Sequence, residues 1–306
     1  MKRDFLELTA LSRPELEEIL QLSARLKREL KAGTRTPLLA GKTLVMIFEK
    51  PSLRTRVTFE VGMTQLGGYA VYLTPSDIRI GERESVADIA LNLERWVDFI
   101  MARTFRHQTL VDLAGPAHIP VVNGLSDLRH PCQVLSDCFT LIERYGSLDG
   151  LRVAFLGDGN NMANSWIGAA IRFGFEFVLA CPPGYEPDPD MLRAAQAAAA
   201  KVTVTSDPVE AMIGADVLYT DVWTSMGQED EKEERDKRFR GFQLNAKALG
   251  LAKKDAVVMH CLPAHRGEEI TAEVIDGPQS IVLDQAENRM HVQKGILGWL
   301  NERTTR

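Results

Sequence analysis

LVMIFEKPSLRTR, Leu44–Arg56, is the stretch that decides how this chain is read. Its first five residues are apolar, as in a strand buried on both faces of a sheet. The Pro-Ser step that follows reads as a helix start, with Ser52 as the cap. A buried strand feeding straight into a helix is half of a βα unit. The cap leaves backbone N–H groups facing outward, where an anion can sit, and a guanidinium in the first turn can grip phosphate with two prongs. Arg54 and Arg56 lie about 200° apart around a helix, so they cannot address one ligand. Arg54 is expected to be the ligand and Arg56 a buried structural ion pair. A solvated helix start with two exposed arginines is the plainer alternative.

The same rhythm runs outward from this stretch. SRPELEEILQLSARLKREL (12–30) has a Ser cap, an early Pro and apolar residues at Leu16, Ile19, Leu20 and Leu26, a helical spacing. TLVMIFE (43–49) reads as a strand, and a helix runs from Ser52 to about Leu66, closed by Gly67-Gly68. YAVYL is a strand, ESVADIALNLERW (84–96) a helix, VDFIMART a strand, TLVDLA a short helix and IPVVNG a short strand. PCQVLSDCFTLIERYG (131–146) is a long helix. YGSLDG (145–150) then reads as a boundary, and a second series begins. It comprises RVAFLGDG, MANSWIGAAIRFG, FEFVLACPP, PDMLRAAQAAAAK, VTVTS, PVEAMIGA, DVLYTDVW, AVVMHCLP and SIVLDQ, the last of these taken as a strand. NRMHVQKGILGWLNE (288–302) is a terminal helix expected to pack back on the first domain.

The fold class is therefore α/β, with two domains, each a parallel sheet flanked by helices. The expected boundaries are 1–147 and 148–306. Ligands of such sheets sit beyond the carboxyl ends of strands, so the active site is expected in the interdomain cleft.

Bulk properties narrow the function. With 306 residues, 45% hydrophobic and 25% charged, the chain has enough apolar surface for two cores. A formal net charge of −6 argues against nucleic-acid or membrane-surface binding, so positive charge has to be local. The four cysteines form no CxxC pair, which suits free thiols in a reducing cytosol. No apolar run approaches the ~20 residues of a membrane helix, and the first residues show no secretory pattern. A cytoplasmic protein without metal or cofactor is expected.

Other candidate residues cluster at strand ends. Arg103 closes VDFIMART. In LRHPCQVL, His130 stands before a helix-opening Pro and Gln133 follows one turn later; a donor for a carbonyl and an amide to read an amide could share one cleft, and a capping or packed histidine is the plainer reading. FLGDGNNMANSW (155–166) resembles a dinucleotide fingerprint, but Met162 occupies the third glycine's place and no acid ends the next strand. Asn160 and Asn161 instead offer amides to a carboxylate. DVWTSMGQE pairs Asp221 with a Ser-Met-Gly turn, which suits a zwitterion: Asp221 and Ser225 for an ammonium, the Met226 backbone for a carboxylate. The adjacent QEDEKEERDKRFR reads as solvated or mobile. In VVMHCLPAHRG, His260 and Cys261 are strand neighbours that point to opposite faces, which disfavours a catalytic dyad. Cys261 is expected to line the cleft.

Taken in order, SLRTR, HPCQ, DVWTSMGQE and HCLP resemble the aspartate/ornithine carbamoyltransferase family, from about residue 5 to residue 300. DVWTSMGQE and HCLP resemble the branch that acts on ornithine; the aspartate branch lacks both. The resemblance implies transfer of a carbamoyl group from carbamoyl phosphate to the δ-amine of L-ornithine, giving citrulline for arginine biosynthesis. It implies that Ser52, Leu53 through its backbone, Arg54, Thr55, Arg103 and Arg289 hold the phosphoester. His130 and Arg103 would polarise the carbamoyl oxygen, while Gln133 and the backbone around Cys261 and Leu262 would take its NH2. Asn161, Asp221, Ser225 and Met226 would bind the α-groups of ornithine, with Asp221 and Cys261 positioning the amine. A homotrimer, or a multiple of trimers, is implied, with Arg79 in DIRIGERES reaching the next subunit's site. Two positions depart from the family pattern: Leu53 where threonine is usual, and Arg79 where glutamine or histidine is expected. Putrescine and N-acetylornithine enzymes of the same kind are the alternatives, together with a non-catalytic binding protein on this fold. Putrescine would leave Asn161 and the Ser-Met-Gly turn without purpose, and an acetylated amine would not call for Asp221.

Overall fold

The computed structural model describes residues 2–81, 83–225 and 229–304. The chain divides into two compact units, one of residues 1–139 with 287–306 and one of residues 140–286.

The first unit is built on a four-stranded parallel sheet in the order β2-β1-β3-β4, with β1 Thr43–Phe48, β2 Tyr69–Leu73, β3 Phe99–Arg103 and β4 Val121–Leu125. The two inner strands are buried almost throughout, as expected where helices cover both faces. β1 pairs in register with β2 from Thr43↔Tyr69 and with β3 from Leu44↔Phe99. The connecting helices are α1 Arg13–Lys31, α2 Leu53–Gln65, α3 Pro75–Ile78, α4 Val86–Leu93, α5 His107–Ala114 and α6 Pro131–Tyr145. α1 starts in a full capping box: Glu15 N–H donates to the Ser12 hydroxyl while the Glu15 carboxylate accepts from Ser12 N–H. Val45, Ile47, Ile100 and Val121 pack with Ile89, Leu93, Leu110 and Leu113 to fill one face of the sheet.

The second unit holds a five-stranded parallel sheet in the order β7-β6-β5-β8-β9, with β5 Arg152–Leu156, β6 Glu176–Ala180, β7 Val202–Thr205, β8 Val217–Thr220 and β9 Val257–His260. Its helices are α7 Asn161–Phe173, α8 Pro189–Ala197, α9 Pro208–Met212, α10 Lys232–Phe239, α11 Ala246–Leu249 and α12 Ala272–Ile275. Trp166, fully buried, stacks on Phe177 and meets Tyr219 edge-on on one face. Leu156, Val178, Leu218, Val258 and Ile270 build the core on the other.

α13, Val282–Arg303, overturns the reading of SIVLDQ as a strand. Ser280 does form an isolated parallel bridge with Val258, but the chain turns helical at Val282. Arg289 is therefore a mid-helix residue rather than the residue after a strand. Within the first unit this helix crosses α1 closely: a Cβ at Gly295 would lie 2.1 Å from the Ser23 hydroxyl. Lys27 donates to the Asn288 side chain at 2.7 Å and Trp299 to Glu18 at 2.8 Å across the same contact. Among the described residues, no helix is long and apolar enough to cross a membrane.

Candidate functional site

In each sheet, chain order reverses between two central strands, β1 and β3 in the first, β5 and β8 in the second. Crevices open beyond the carboxyl ends of strands at such points. The candidate residues gather there.

In the first unit, β1 delivers Ser52 to the start of α2, where its hydroxyl accepts from Thr55 N–H at 3.3 Å. Arg54 lies half-buried in that first turn, and Thr55 is buried beneath it. Arg103 ends β3 and is buried. Arg289 comes from α13 and donates through Nη2 to the Thr55 hydroxyl at 2.9 Å. His130, buried ahead of α6, feels all three guanidinium groups. Burial first, then the charges of Arg289, Arg103 and Arg54, hold its imidazole well below the ordinary range, so it is neutral at pH 7. One turn later Gln133 is fully buried; its Nε2 donates to Asp137 at 2.8 Å. Its Oε1 is buried without a hydrogen-bond partner among the described residues, an acceptor held ready for an N–H.

Arg56 is not the buried ion pair expected from sequence. It is exposed, donates to Glu60 at 3.1 Å one turn on, and stacks 3.7 Å above the Tyr72 ring. The 200° offset from Arg54 turns it onto the solvent side of α2. Leu53 is 74% exposed at the first position of α2. Arg79 is exposed and caps α3 in the left-handed conformation at φ 42°.

The second unit assembles a different chemistry. Asn160 caps α7: its Oδ1 accepts from Met162 N–H at 2.9 Å and Ala163 N–H at 3.3 Å. Its Nδ2 donates to Asp221 Oδ2 at 3.0 Å, just past the end of β8. The other oxygen, Asp221 Oδ1, accepts from the Cys261 thiol at 2.9 Å and from Val222 N–H at 2.8 Å. Asp221 is buried, while Cys261, Asn161 and Ser225 are half-buried. Met226 lies outside the described residues.

His260 and Cys261 diverge as expected. His260 Nδ1 accepts from Leu262 N–H at 2.8 Å, so its Nε2 carries the proton and faces Glu269 at 3.2 Å. Leu262 takes a left-handed conformation, φ 58°, which swings the chain away from the strand beyond Cys261. With both ring nitrogens engaged, His260 does not serve Cys261 as a base.

Spacing alone did not reveal two groupings of metal-ligand type among the described residues, Asp221 with His260 and Cys261, and His265 with Glu268 and Glu269. In the first, the His260 lone pair is already taken by Leu262 N–H. Sequence reading also missed Asp137, the partner of Gln133, and Arg235, which is buried inside the charged run read as solvated. That run forms α10, with Arg235 and Phe239 turned inward. The i, i+4 spacing of those two residues was the available signal.

Fold and sites define a protein of two parallel α/β units, one carrying three arginines around a neutral histidine, the other a carboxylate braced by a thiol and an amide. The chain matches the carbamoyl-P binding domain of aspartate/ornithine carbamoyltransferase over residues 3–143 and its Asp/Orn binding domain over residues 149–300. An ornithine carbamoyltransferase of Methanocorpusculum labreanum is 54% identical, over 97% of each chain. The solved ornithine carbamoyltransferase of Pyrococcus furiosus superposes with a TM-score of 0.93 at 49% identity, covering 97% of this chain and 96% of its own. The anabolic ornithine carbamoyltransferase of Campylobacter jejuni gives 0.92 at 40% identity, covering 99% and 100%. This chain belongs to the aspartate/ornithine carbamoyltransferase family.

Proposed function

We propose that the protein transfers the carbamoyl group of carbamoyl phosphate to the δ-amine of L-ornithine, releasing L-citrulline and phosphate, in the biosynthesis of arginine. The observation that carries this reading is the gathering of Arg54, Arg103 and Arg289 around neutral His130 at the helix start beyond β1. A doubly charged phosphoester needs such a site, and little else in a chain of net charge −6 would collect three guanidinium groups.

Each group has a task. Ser52, the Leu53 backbone, Arg54, Thr55, Arg103 and Arg289 hold the phosphate. His130, kept neutral, donates its N–H to the carbamoyl oxygen beside Arg103, and Gln133 Oε1 accepts from the carbamoyl NH2. The Cys261 and Leu262 carbonyls are the corresponding acceptors of the second unit. Asn161, Ser225, Met226 and Asp221 bind the α-carboxylate and α-ammonium of ornithine.

The attacking amine has to be neutral, yet an alkyl ammonium titrates near pH ~10.4. In this reading Asp221, which also accepts from the Cys261 thiol on its Oδ1, meets the δ-ammonium as well and draws its proton. The nitrogen then bonds to the carbamoyl carbon, the C–O bond to phosphate breaks, and the released electron pair goes to a leaving group already matched by the arginines. Preorganised donors of this type contribute roughly 3–4 kcal/mol each to the transition state.

The active form in this reading is a cytoplasmic homotrimer, or a multiple of it, without cofactor. Leu53, Val57 and Val61 form an uncovered apolar stripe on α2, and Tyr69 (70% exposed) and Val71 lie open on edge strand β2, an apolar face of the kind a second subunit covers. Arg79 is the residue that reaches the neighbouring site. The four free thiols suit a reducing compartment.

A colorimetric citrulline assay tests the reaction. Purified protein with carbamoyl phosphate is expected to consume ornithine and to leave putrescine and N-acetylornithine unreacted. Preference for either of the latter would overturn the assignment of substrate.

A further inference from the structure

Away from the residues assigned to the substrates, the turn between β9 and α12 collects three ligand-type side chains. His265, Glu268 and Glu269 are spaced i, i+3 and i+4, and one donor atom of each lies within 4.8 Å of the other two. His265 Nδ1 stands 3.5 Å from Glu268 Oε2 and 4.0 Å from Glu269 Oε2. Ligand atoms about 2.1 Å from a tetrahedral zinc ion are themselves about 3.4 Å apart. The first distance already fits, and the second has only to close by about half an ångström.

The turn holds this arrangement from several sides. Glu268 N–H donates to the His265 carbonyl and Gly267 N–H to the Ile270 carbonyl, each at 2.9 Å. From the segment after α10, Gln243 Nε2 donates to the carbonyls of Gly267 and Glu268 at 3.0 and 2.8 Å. Glu269 is fully buried, and its two oxygens have different surroundings. Oε1 accepts from His265 N–H at 2.5 Å and faces the His260 Nε2 proton at 3.2 Å. Metal-binding carboxylates are steadied in this way by hydrogen bonds from outside the ligand set. Oε2 lies on the side of His265 and Glu268, buried and without a hydrogen-bond partner among the described residues. A buried carboxylate oxygen without a donor is costly, and a cation is a partner that removes the cost. His265 is exposed and Glu268 half-buried, which leaves a way in from solvent and room for water on an ion.

We infer that His265, Glu268 and Glu269 bind a divalent transition-metal cation of the zinc and cobalt type, with water completing its coordination. The imidazole argues against calcium and magnesium, which take oxygen ligands. Lys232 of α10 donates to Glu268 Oε2 at 2.8 Å and has Asp236 within 3.6 Å. The ion therefore competes with the Lys232 ammonium for that oxygen and leaves it to Asp236. Carbamoyl transfer as proposed above needs no metal, so this site stands or falls independently of that reading.

Calorimetry of the full chain, freed of metal by a chelator and titrated with zinc chloride, tests the inference. About one ion per chain is expected to bind. His265→Ala and Glu268→Gln should each weaken that binding by at least about 100-fold, since loss of a mere supporting hydrogen bond already costs about 10- to 100-fold. Lys232→Met removes the competing charge and should tighten it roughly two- to five-fold, the worth of an exposed ion pair. Cobalt supplies a second readout. Bound at this turn it gives visible d–d absorption without a thiolate-to-metal band, whereas at Cys261 and Asp221 that band appears. No zinc uptake, uptake that survives both His265→Ala and Glu268→Gln, or a thiolate band in the cobalt spectrum would each overturn the inference. Should a variant fail to fold, the other variant and the cobalt spectrum of the unaltered chain decide.

Discussion

Replacing Arg54 by alanine is the sharpest test of the phosphate site. Arg54 sits half-buried in the first turn of α2, whose cap is made by Ser52 and not by Arg54. Alanine is the best helix former, so the fold has little to lose from the substitution. The chemistry has much to lose: one preorganised donor aimed at developing charge contributes about 2.7–4 kcal/mol, and each 1.36 kcal/mol is a factor of ten in rate. Turnover should therefore fall by roughly 100- to 1000-fold. Arg56→Ala is the internal control, since its ion pair with Glu60 is solvent-exposed and such pairs are worth about 1 kcal/mol or less, none of it at the reacting atoms. The assay is citrulline formation at saturating ornithine over a range of carbamoyl phosphate, with thermal melting of each variant alongside. Near-normal kinetics in Arg54→Ala, or an equal loss in Arg56→Ala, would refute the assignment of Arg54 to the phosphate.

Further expectations concern the second unit and acid. Asp221→Asn keeps the shape but removes the charge that meets the amine, and should cut kcat/KM for ornithine by at least about ten-fold while leaving phosphate binding, read by calorimetry, unchanged. Gly159→Ala forces backbone apart at residues 186 and 187 and should destabilise the protein by about 1–3 kcal/mol in urea unfolding; a neutral result would mean that the approach is looser than described. Burial holds His130 below the usual imidazole range and lowers His291 to about 4, in each case helped by neighbouring cations. The unfolded chain then takes up protons that the folded chain refuses, so stability is full above about pH 6.5 and falls as the pH drops toward the folded values. Urea midpoints at neutral and mildly acid pH should show that fall, and His291→Gln should flatten it; an unchanged slope would exclude His291 as a cause.

How much of this was legible in the sequence depends on the range of the interactions concerned. TLVMIFE, VDFIMART and DVLYTDVW announce their strands because continuous apolar runs are what a doubly covered parallel sheet needs, and Ser52 and Asn160 announce helix starts by local capping. SIVLDQ misled because Ile281 and Val282 are β-branched. The helix that follows also blurs its own periodicity by burying Asn288, Arg289, His291, Gln293 and Lys294 along with its apolar residues. Arg56 was misjudged because its own turn does not say which side of α2 meets solvent, and the ring it stacks on, Tyr72, belongs to the next strand. Asp221, Cys261 and Asn160 could be nominated singly, but that one carboxylate binds the other two is a fact of topology, set by strands brought together from distant parts of the chain. Arg235 stayed invisible for the same reason, since its ion-pair partner, Asp158, lies 77 residues away.

The contact between Thr55 and Arg289 spans 234 positions of the chain. Synthesis proceeds from the amino end, so the first sheet can be complete on the ribosome while its third guanidinium has yet to be translated. The nascent protein should thus be unable to grip the phosphoester until the final helix emerges and docks. A chain that stops before α13 should lack that grip, and adding the 287–306 segment as a separate peptide offers a way to switch it on.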